Sequence, residues 1–189
     1  KKLSLYASYS QGYKAPVSAY FFIPFTGEVN MGLEPEKGVQ YEVGSKGSLL
    51  GDKLSYDLAF FQANYQNKMA AVAVPNAAGT ATAYSYIVNS GEQNNKGFEA
   101  ALRYTVYNAS TGLFRMIRPF VNATYSDFTY KNYKFQTNAL LAPINYDGLQ
   151  VAGFPKKVVN AGLDINADAY LPAPKDAFYF GGLNIRYNF

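Results

Sequence analysis

The sequence predicts an all-β protein, about seven antiparallel strands forming a segment of a larger transmembrane β-barrel wall. Three observations predict it. Apolar and polar residues alternate with a period of two in about seven stretches, the pattern of strands with one oily and one wet side. The composition is aromatic-rich and charge-poor: 18 Tyr and 14 Phe make 17% aromatic residues, whereas charged residues reach 16%, below the roughly 25% of soluble domains. The connections between stretches alternate short and long.

The first stretch sets Leu3, Leu5, Ala7 and Tyr9 against Ser4, Tyr6, Ser8 and Ser10. The second sets Val39, Tyr41, Val43 and Leu49 against Gln40, Glu42, Lys46 and Ser48, and the third Leu54, Tyr56, Leu58 and Phe60 against Ser55, Asp57, Ala59 and Phe61. The fourth alternates most cleanly, with Phe98, Ala100, Leu102, Tyr104 and Val106 against Gly97, Glu99, Ala101, Arg103 and Thr105. Ile117, Val121, Ala123 and Tyr125 define the fifth, opposed by Arg118, Asn122, Thr124 and Ser126. Val159, Ala161, Leu163 and Ile165 define the sixth, and Tyr179, Leu183, Ile185, Tyr187 and Phe189 the seventh. Every charge inside these runs lies on the polar parity. Pro119 falls on the apolar parity of the fifth run and, lacking an N–H, requires a bulge or a strand start there.

A soluble sandwich and a lipid-embedded barrel share this alternation. Three features select the barrel. Tyrosines gather near run ends on the apolar side (Tyr9, Tyr41, Tyr56, Tyr104, Tyr125, Tyr179), where an amphipathic ring suits a headgroup boundary. The segments Gly51–Lys53, Asn108–Phe114 and Asp168–Asp176 are tight, whereas Gly12–Gly38, Asn67–Asn95 and Lys131–Pro155 are long. Several runs also exceed the usual ~5–6 residues and approach the ~9–11 of a tilted membrane strand.

The composition excludes other chemistries. With no His and no Cys, the chain holds no Ser/His/Asp or Cys/His nucleophile, no zinc site of the usual kind and no disulfide. The net charge of +4 is dispersed, with no basic run longer than Lys156–Lys157, so no nucleic-acid partner is expected. No phosphate-binding glycine loop or cofactor motif occurs, and no cofactor is expected. Glu34 and Glu36 lack a third ligand or partner base nearby. The sequons at Asn108 and Asn122 are tripeptides frequent by chance.

The segments Leu5–Pro16 (LYASYSQGYKAP), Leu33–Gly47 (LEPEKGVQYEVGSKG), Tyr56–Met69 (YDLAFFQANYQNKM) and Tyr86–Tyr104 (YIVNSGEQNNKGFEAALRY) together resemble the barrel of TonB-dependent outer-membrane receptors of the siderophore, iron-complex type. Arg118–Tyr130 and Phe154–Ile165 continue the same order, so the resemblance covers nearly the whole chain. It implies the C-terminal part of a plugged barrel of about 22 strands, of which this chain supplies roughly a third. The implied location is the bacterial outer membrane. The implied role is active uptake of a ferric siderophore or similarly large, scarce ligand, without enzymatic chemistry. The partners are that ligand, the TonB complex acting through a plug segment not found in these residues, and outer-membrane lipid. The Lys-Lys start suggests a fragment or processed product, and Phe189, at the outer end of an ascending seventh strand, a truncation point. Rival readings are a passive porin or structural barrel and a soluble glycan-binding β-sandwich; cobalamin or an oligosaccharide is an alternative ligand.

Within this frame, Tyr20, Phe21, Phe22 and Phe25 in the first long loop are candidate contacts for a planar or aromatic ligand. Packing against neighbouring loops is the plainer alternative. Lys131, Tyr133 and Lys134 in the third loop are candidates for an anionic complex, with solvated loop charge as the alternative. Glu42, Lys46, Asp57, Glu99, Arg103 and Arg186 share the polar parity and are expected to face the lumen and plug, or to pair across strands. Gly44 and Gly97, on the same parity, admit close approach of a neighbouring side chain or plug segment.

Overall fold

The structure, a computed structural model, describes residues 2–136, 138–171 and 178–188, with side chains from residue 3 to residue 167 apart from 137. Fourteen strands and one short helix follow in order: β1 (Lys2–Lys14), the 3₁₀ turn η1 (Ser18–Phe21), β2 (Phe22–Ile23), β3 (Glu28–Val29), β4 (Glu36–Leu49), β5 (Leu54–Gln66), β6 (Met69–Pro75), β7 (Thr82–Asn89), β8 (Glu92–Tyr104), β9 (Tyr107–Asn108), β10 (Phe114–Lys131), β11 (Lys134–Phe135), β12 (Ile144–Asn145), β13 (Lys157–Leu171) and β14 (Phe178–Asn188).

The long strands form one antiparallel meander, β1-β4-β5-β8-β10-β13-β14, with β9 beside β10. Each run read from the sequence falls on one of these strands, except that Thr105 and Val106 of the fourth lie between β8 and β9 and Phe189 of the seventh lies outside the described residues. At about 3.3 Å per residue, the 13-residue β5 is ~43 Å long and crosses ~30 Å when tilted by ~45°. The two described tight connections, 50–53 and 105–113, lie at one end of the sheet. The turn after β4 is closed by Leu50, Gly51 and Asp52 at φ of 54°, 66° and 66°. The long connections lie at the other end and carry strand pairs of their own: β2 pairs β3, β6 pairs β7, and β11 pairs β12.

Pro119 neither starts nor ends a strand. It lies inside β10, opposite Leu163 of β13. On its other side Ile117 faces Tyr107 while Phe120 faces Arg103, so Arg118 and Pro119 oppose three residues, 104–106. The required bulge is therefore placed in the neighbouring chain segment, where no proline N–H is needed.

The sheet is a single layer. Leu5 (74% exposed) and Phe60 (58%) on the apolar face are open, and no large side chain among the described residues is fully buried. The extensive contacts of the long strands are all with their sheet neighbours among the described elements. Leu58, Leu102 and Leu163 therefore share no dry interior, which removes the soluble sandwich. Tyr9 and Tyr41, register partners with ring centroids 5.3 Å apart, bound the apolar face toward the loop end. Tyr56 and Tyr104 bound it toward the turn end, opposite Leu102 and Leu54. Beyond the loop-end boundary the same face becomes ionic, with Lys96–Asp127 at 3.3 Å and Lys131–Glu92 at 3.2 Å. The side chains of Tyr179 and Arg186, the turn at 172–177 and Phe189 lie outside the described residues.

Candidate functional site

Two regions hold the candidate residues: the polar face of the sheet and the cap built by the long loops. On the polar face, strand pairing fixes the positions. Lys46 stands opposite Asp57, Glu42 opposite Phe61, Ala59 opposite Glu99, and Ser55 opposite Arg103. Tyr6 donates its hydroxyl to Glu42 Oε1 at 3.0 Å, and Lys46 Nζ lies 5.9 Å from the centre of the Tyr6 ring. Glu42, Asp57 and Glu99 converge with Tyr6 and Asn122 on a concavity of about 310 Å³. Three carboxylates with a phenol can accept hydrogen bonds from an opposing polypeptide and attract its cations. Without imidazole or thiol they form no nucleophile system.

The sequence reading leaves Arg118 and Asp164 out of this set. Register partners on β10 and β13, they join through Arg118 Nη2 at 3.1 Å and Nε at 3.3 Å to the same Asp164 oxygen. Their opposite charges on polar parities of successive runs were the available signal. The polar face is also less uniformly polar than its alternation suggests. Phe61 packs edge-on to Phe128 at 6.1 Å, and Phe128 meets Phe154 of the third loop at 5.3 Å.

The loop cap is organised around the β6–β7 hairpin. From the first loop, Asn30 Nδ2 donates to the Ile87 carbonyl at 2.6 Å, and Phe25 stacks on Tyr84 with centroids 4.8 Å apart. At the hairpin base, Asn89 Oδ1 accepts from the Glu34 amide at 2.7 Å while its Nδ2 donates to the Glu34 and Asn67 carbonyls. Asn67 Nδ2 donates to Glu34 Oε2 at 2.9 Å. Glu36, 7% exposed, is the buried charge of the described residues. Its carboxylate accepts from the Met69 amide at 2.9 Å and pairs with Lys68 at 3.2 Å and Lys14 at 3.6 Å. Burial alone would raise its pKa, but the Met69 hydrogen bond and the two ammonium groups together hold it below the ordinary carboxylate value.

The third loop docks on the hairpin's other flank. Ser90 Oγ donates to the Lys134 carbonyl at 2.6 Å, Thr82 Oγ1 accepts from the Ala139 amide at 3.0 Å, and Val72 bridges Gln136 in parallel. Gly91, at φ +78°, passes so close to the Asn132 carbonyl that an added Cβ would stand 2.5 Å from it.

Phe22 and Phe25 are exposed at 51% and 66%, Tyr20 is exposed and Phe21 half-buried. Lys131 is committed to Glu92 on the apolar-parity side. Tyr133 stacks on Tyr130 at 4.7 Å and meets Tyr146 at 6.2 Å; burial, with the neighbouring Tyr130, Glu36 and Tyr146, raises its phenol pKa. Lys134 is exposed, its backbone holding Ser90. The structure thus brings Tyr133 into a ring cluster and Phe25 onto the hairpin, and leaves Phe22 open. The sequence signal for the latch of Glu34, Glu36, Asn67, Lys68 and Asn89 is the Glu-Pro-Glu segment, legible as a site only with the hairpin in place.

A one-layer antiparallel wall, apolar and uncovered on one face and polar on the other, with tight turns at one end and a bonded loop cap at the other, defines a membrane β-barrel segment. The family model for TonB dependent receptor-like, beta-barrel proteins matches residues 1–189, and the chain belongs to this family. Over 99 residues it is 32% identical to the ferripyoverdine receptor of Pseudomonas aeruginosa. That stretch is 52% of this chain and spans 12% of the receptor. Family members are transporters rather than enzymes, and the chain is a protein of the bacterial outer membrane. Among the described residues no group of three or more His, Cys, Asp and Glu is placed to hold a metal.

Proposed function

We propose that the chain is the C-terminal part of the barrel of an outer-membrane receptor that takes up a ferric siderophore or similarly large, scarce ligand with energy delivered through TonB. The observation that carries this reading is the loop cap: three long loops bonded into one body at one end of the wall, presenting the rings of Tyr20, Phe22 and Phe25. A body of that kind offers an apolar contact to a planar chelate without depending on mobile chain. The similarity to a ferripyoverdine receptor supports an iron-complex ligand.

In this reading Tyr20, Phe21, Phe22 and Phe25 contact ligand and Tyr133 and Lys134 line its approach, whereas Lys131, held by Glu92 on the outward side, makes no ligand contact. Glu42, Lys46, Asp57, Glu99, Arg103 and Arg186 face the lumen and hold the plug, with Arg118 and Asp164 bracing the same side. The test uses the full-length receptor in iron-limited cells. Phe21→Ala, Phe22→Ala and Phe25→Ala combined should abolish growth on one chelated iron source and weaken its binding at least tenfold while leaving receptor abundance unchanged. Unchanged growth and affinity would refute the loop assignment.

A further inference from the structure

Three rings lie on bare glycines across the polar face, each glycine directly opposite its ring in the strand register. Tyr6 of β1 covers Gly44 of β4, where an added Cβ would stand 2.3 Å from Tyr6 Cζ. Tyr65 of β5 covers Gly38 of β4, with a Cβ at 2.8 Å from its Cε1. Phe61 of β5 covers Gly97 of β8, with a Cβ at 2.4 Å from its Cζ. A fourth pair occurs in the register alone, Phe120 of β10 opposite Gly162 of β13.

Every strand pair joined by a long loop carries such a pair. Alternation forbids a strand to slip by one residue, because every side chain would change face. A slip of two keeps every face and is left unopposed by the pattern. Tight turns fix register locally, whereas a long loop absorbs two residues at almost no entropic cost. The strand pairs joined by long loops are β1–β4, β5–β8 and β10–β13, and each carries a ring opposite a glycine. The tight-turn pair β8–β10 carries none on its described polar positions, while β4–β5 has Tyr65–Gly38 on the polar face at the end remote from its turn and, in the register on the apolar face, Tyr56 opposite Gly47 near the turn.

A slip of two destroys each fit. Tyr6 would meet Glu42 or Lys46 in place of Gly44, and Phe61 would meet Asn95 or Glu99 in place of Gly97. The side chains flanking Gly44 also fit the ring only in register, since Glu42 takes its hydroxyl and Lys46 stands over its face. We infer that these ring-on-glycine pairs are register locks: their role is to exclude two-residue slips where a long loop leaves the pairing unset, as the strands come together. Aromatic cover of glycine is a known way to stabilise sheets; here a fit that exists only in the native register gives it a part in assembly, independently of which ligand the receptor carries.

The test uses the full-length receptor refolded into detergent micelles, with engineered cysteine pairs read by disulfide formation. Ala7→Cys with Val43→Cys reports the native register, in which the two are partners. Leu5→Cys with Val43→Cys reports the slipped one, since diagonal neighbours are otherwise beyond disulfide reach. Tyr6→Leu should raise the slipped cross-link roughly fivefold, as expected for loss of a strong cross-strand pair, whereas Tyr6→Phe, which keeps the ring and loses only the hydrogen bond to Glu42, should raise it far less. An equal cross-link ratio in all three proteins would overturn the proposal. If Tyr6→Leu fails to insert, the exchanged pair Tyr6→Gly with Gly44→Tyr decides: recovery of insertion in the native register supports the lock, and its failure overturns it.

Discussion

Replacing Glu36 by Gln should release the first loop from the hairpin without unfolding the wall. The substitution preserves shape but removes a charge that accepts from the Met69 amide and pairs with Lys68 and Lys14. A charge-assisted hydrogen bond contributes about 1.5–3 kcal/mol. Lys14, with its side chain 69% exposed, adds little, and Lys68, at 26%, is partly solvated. The latch should therefore lose about 2 kcal/mol, roughly a thirtyfold rise in the open population. Hydrogen exchange on the detergent-solubilised full-length receptor measures it: the Met69 amide and its hairpin neighbours should exchange roughly thirtyfold faster while β5 and β8 keep their protection. The pH dependence has a fixed sign. Because the folded carboxyl is held below its ordinary value of 4.5, its contribution is complete above that value and disappears as pH falls through the lower, folded one. Parent and variant should therefore converge in acid. Unchanged exchange at Met69 in the variant, or an equal difference at all pH values, would refute the assignment of Glu36 as the latch.

Two further outcomes follow from the geometry. Leu58→Arg, on the uncovered apolar face, should cost about 2–4 kcal/mol in denaturant unfolding of the membrane-inserted receptor, whereas Ser55→Arg on the polar face should change stability by less than about 1 kcal/mol; equal effects would contradict the outward orientation of Leu58. Gly91→Ala combines a positive φ with a Cβ 2.5 Å from the Asn132 carbonyl, so it should undock the third loop and expose 132–136 to limited proteolysis without altering β10; unchanged cleavage would argue against that close approach.

Much of the wall was legible before the structure because a half-buried strand writes its two faces into the sequence. Phe98 through Tyr104 could be placed on β8, with Glu99 and Arg103 opposite in parity, from period alone. The constraint at Pro119 is legible too, but its resolution is not, since the extra residue sits at 104–106, where β8 passes into β9. The β6–β7 hairpin was missed because Ala70, Ala71, Val72, Ala73 and Val74 lack alternation; the turn signal was Asn76, which caps Thr80 and Ala81 ahead of β7, with Gly79 at φ +65°. The loop latch was illegible for a further reason. Glu36 and Lys68 are 32 residues apart and meet only when two insertions fold against each other. Openness to a neighbouring side chain at Gly44 and Gly97 was readable, whereas the rings that fill those spaces follow only from register.

The absence of a large fully buried side chain among the described residues changes what folding means for this chain. A globular domain supplies its own interior, but here the oily material is displayed by Leu5, Val43 and Phe60 to whatever medium surrounds them. Hydrocarbon tails complete that missing half, so the free energy of the native state belongs jointly to polypeptide and lipid, and the same sheet transferred to plain buffer becomes an adhesive surface that associates with its copies.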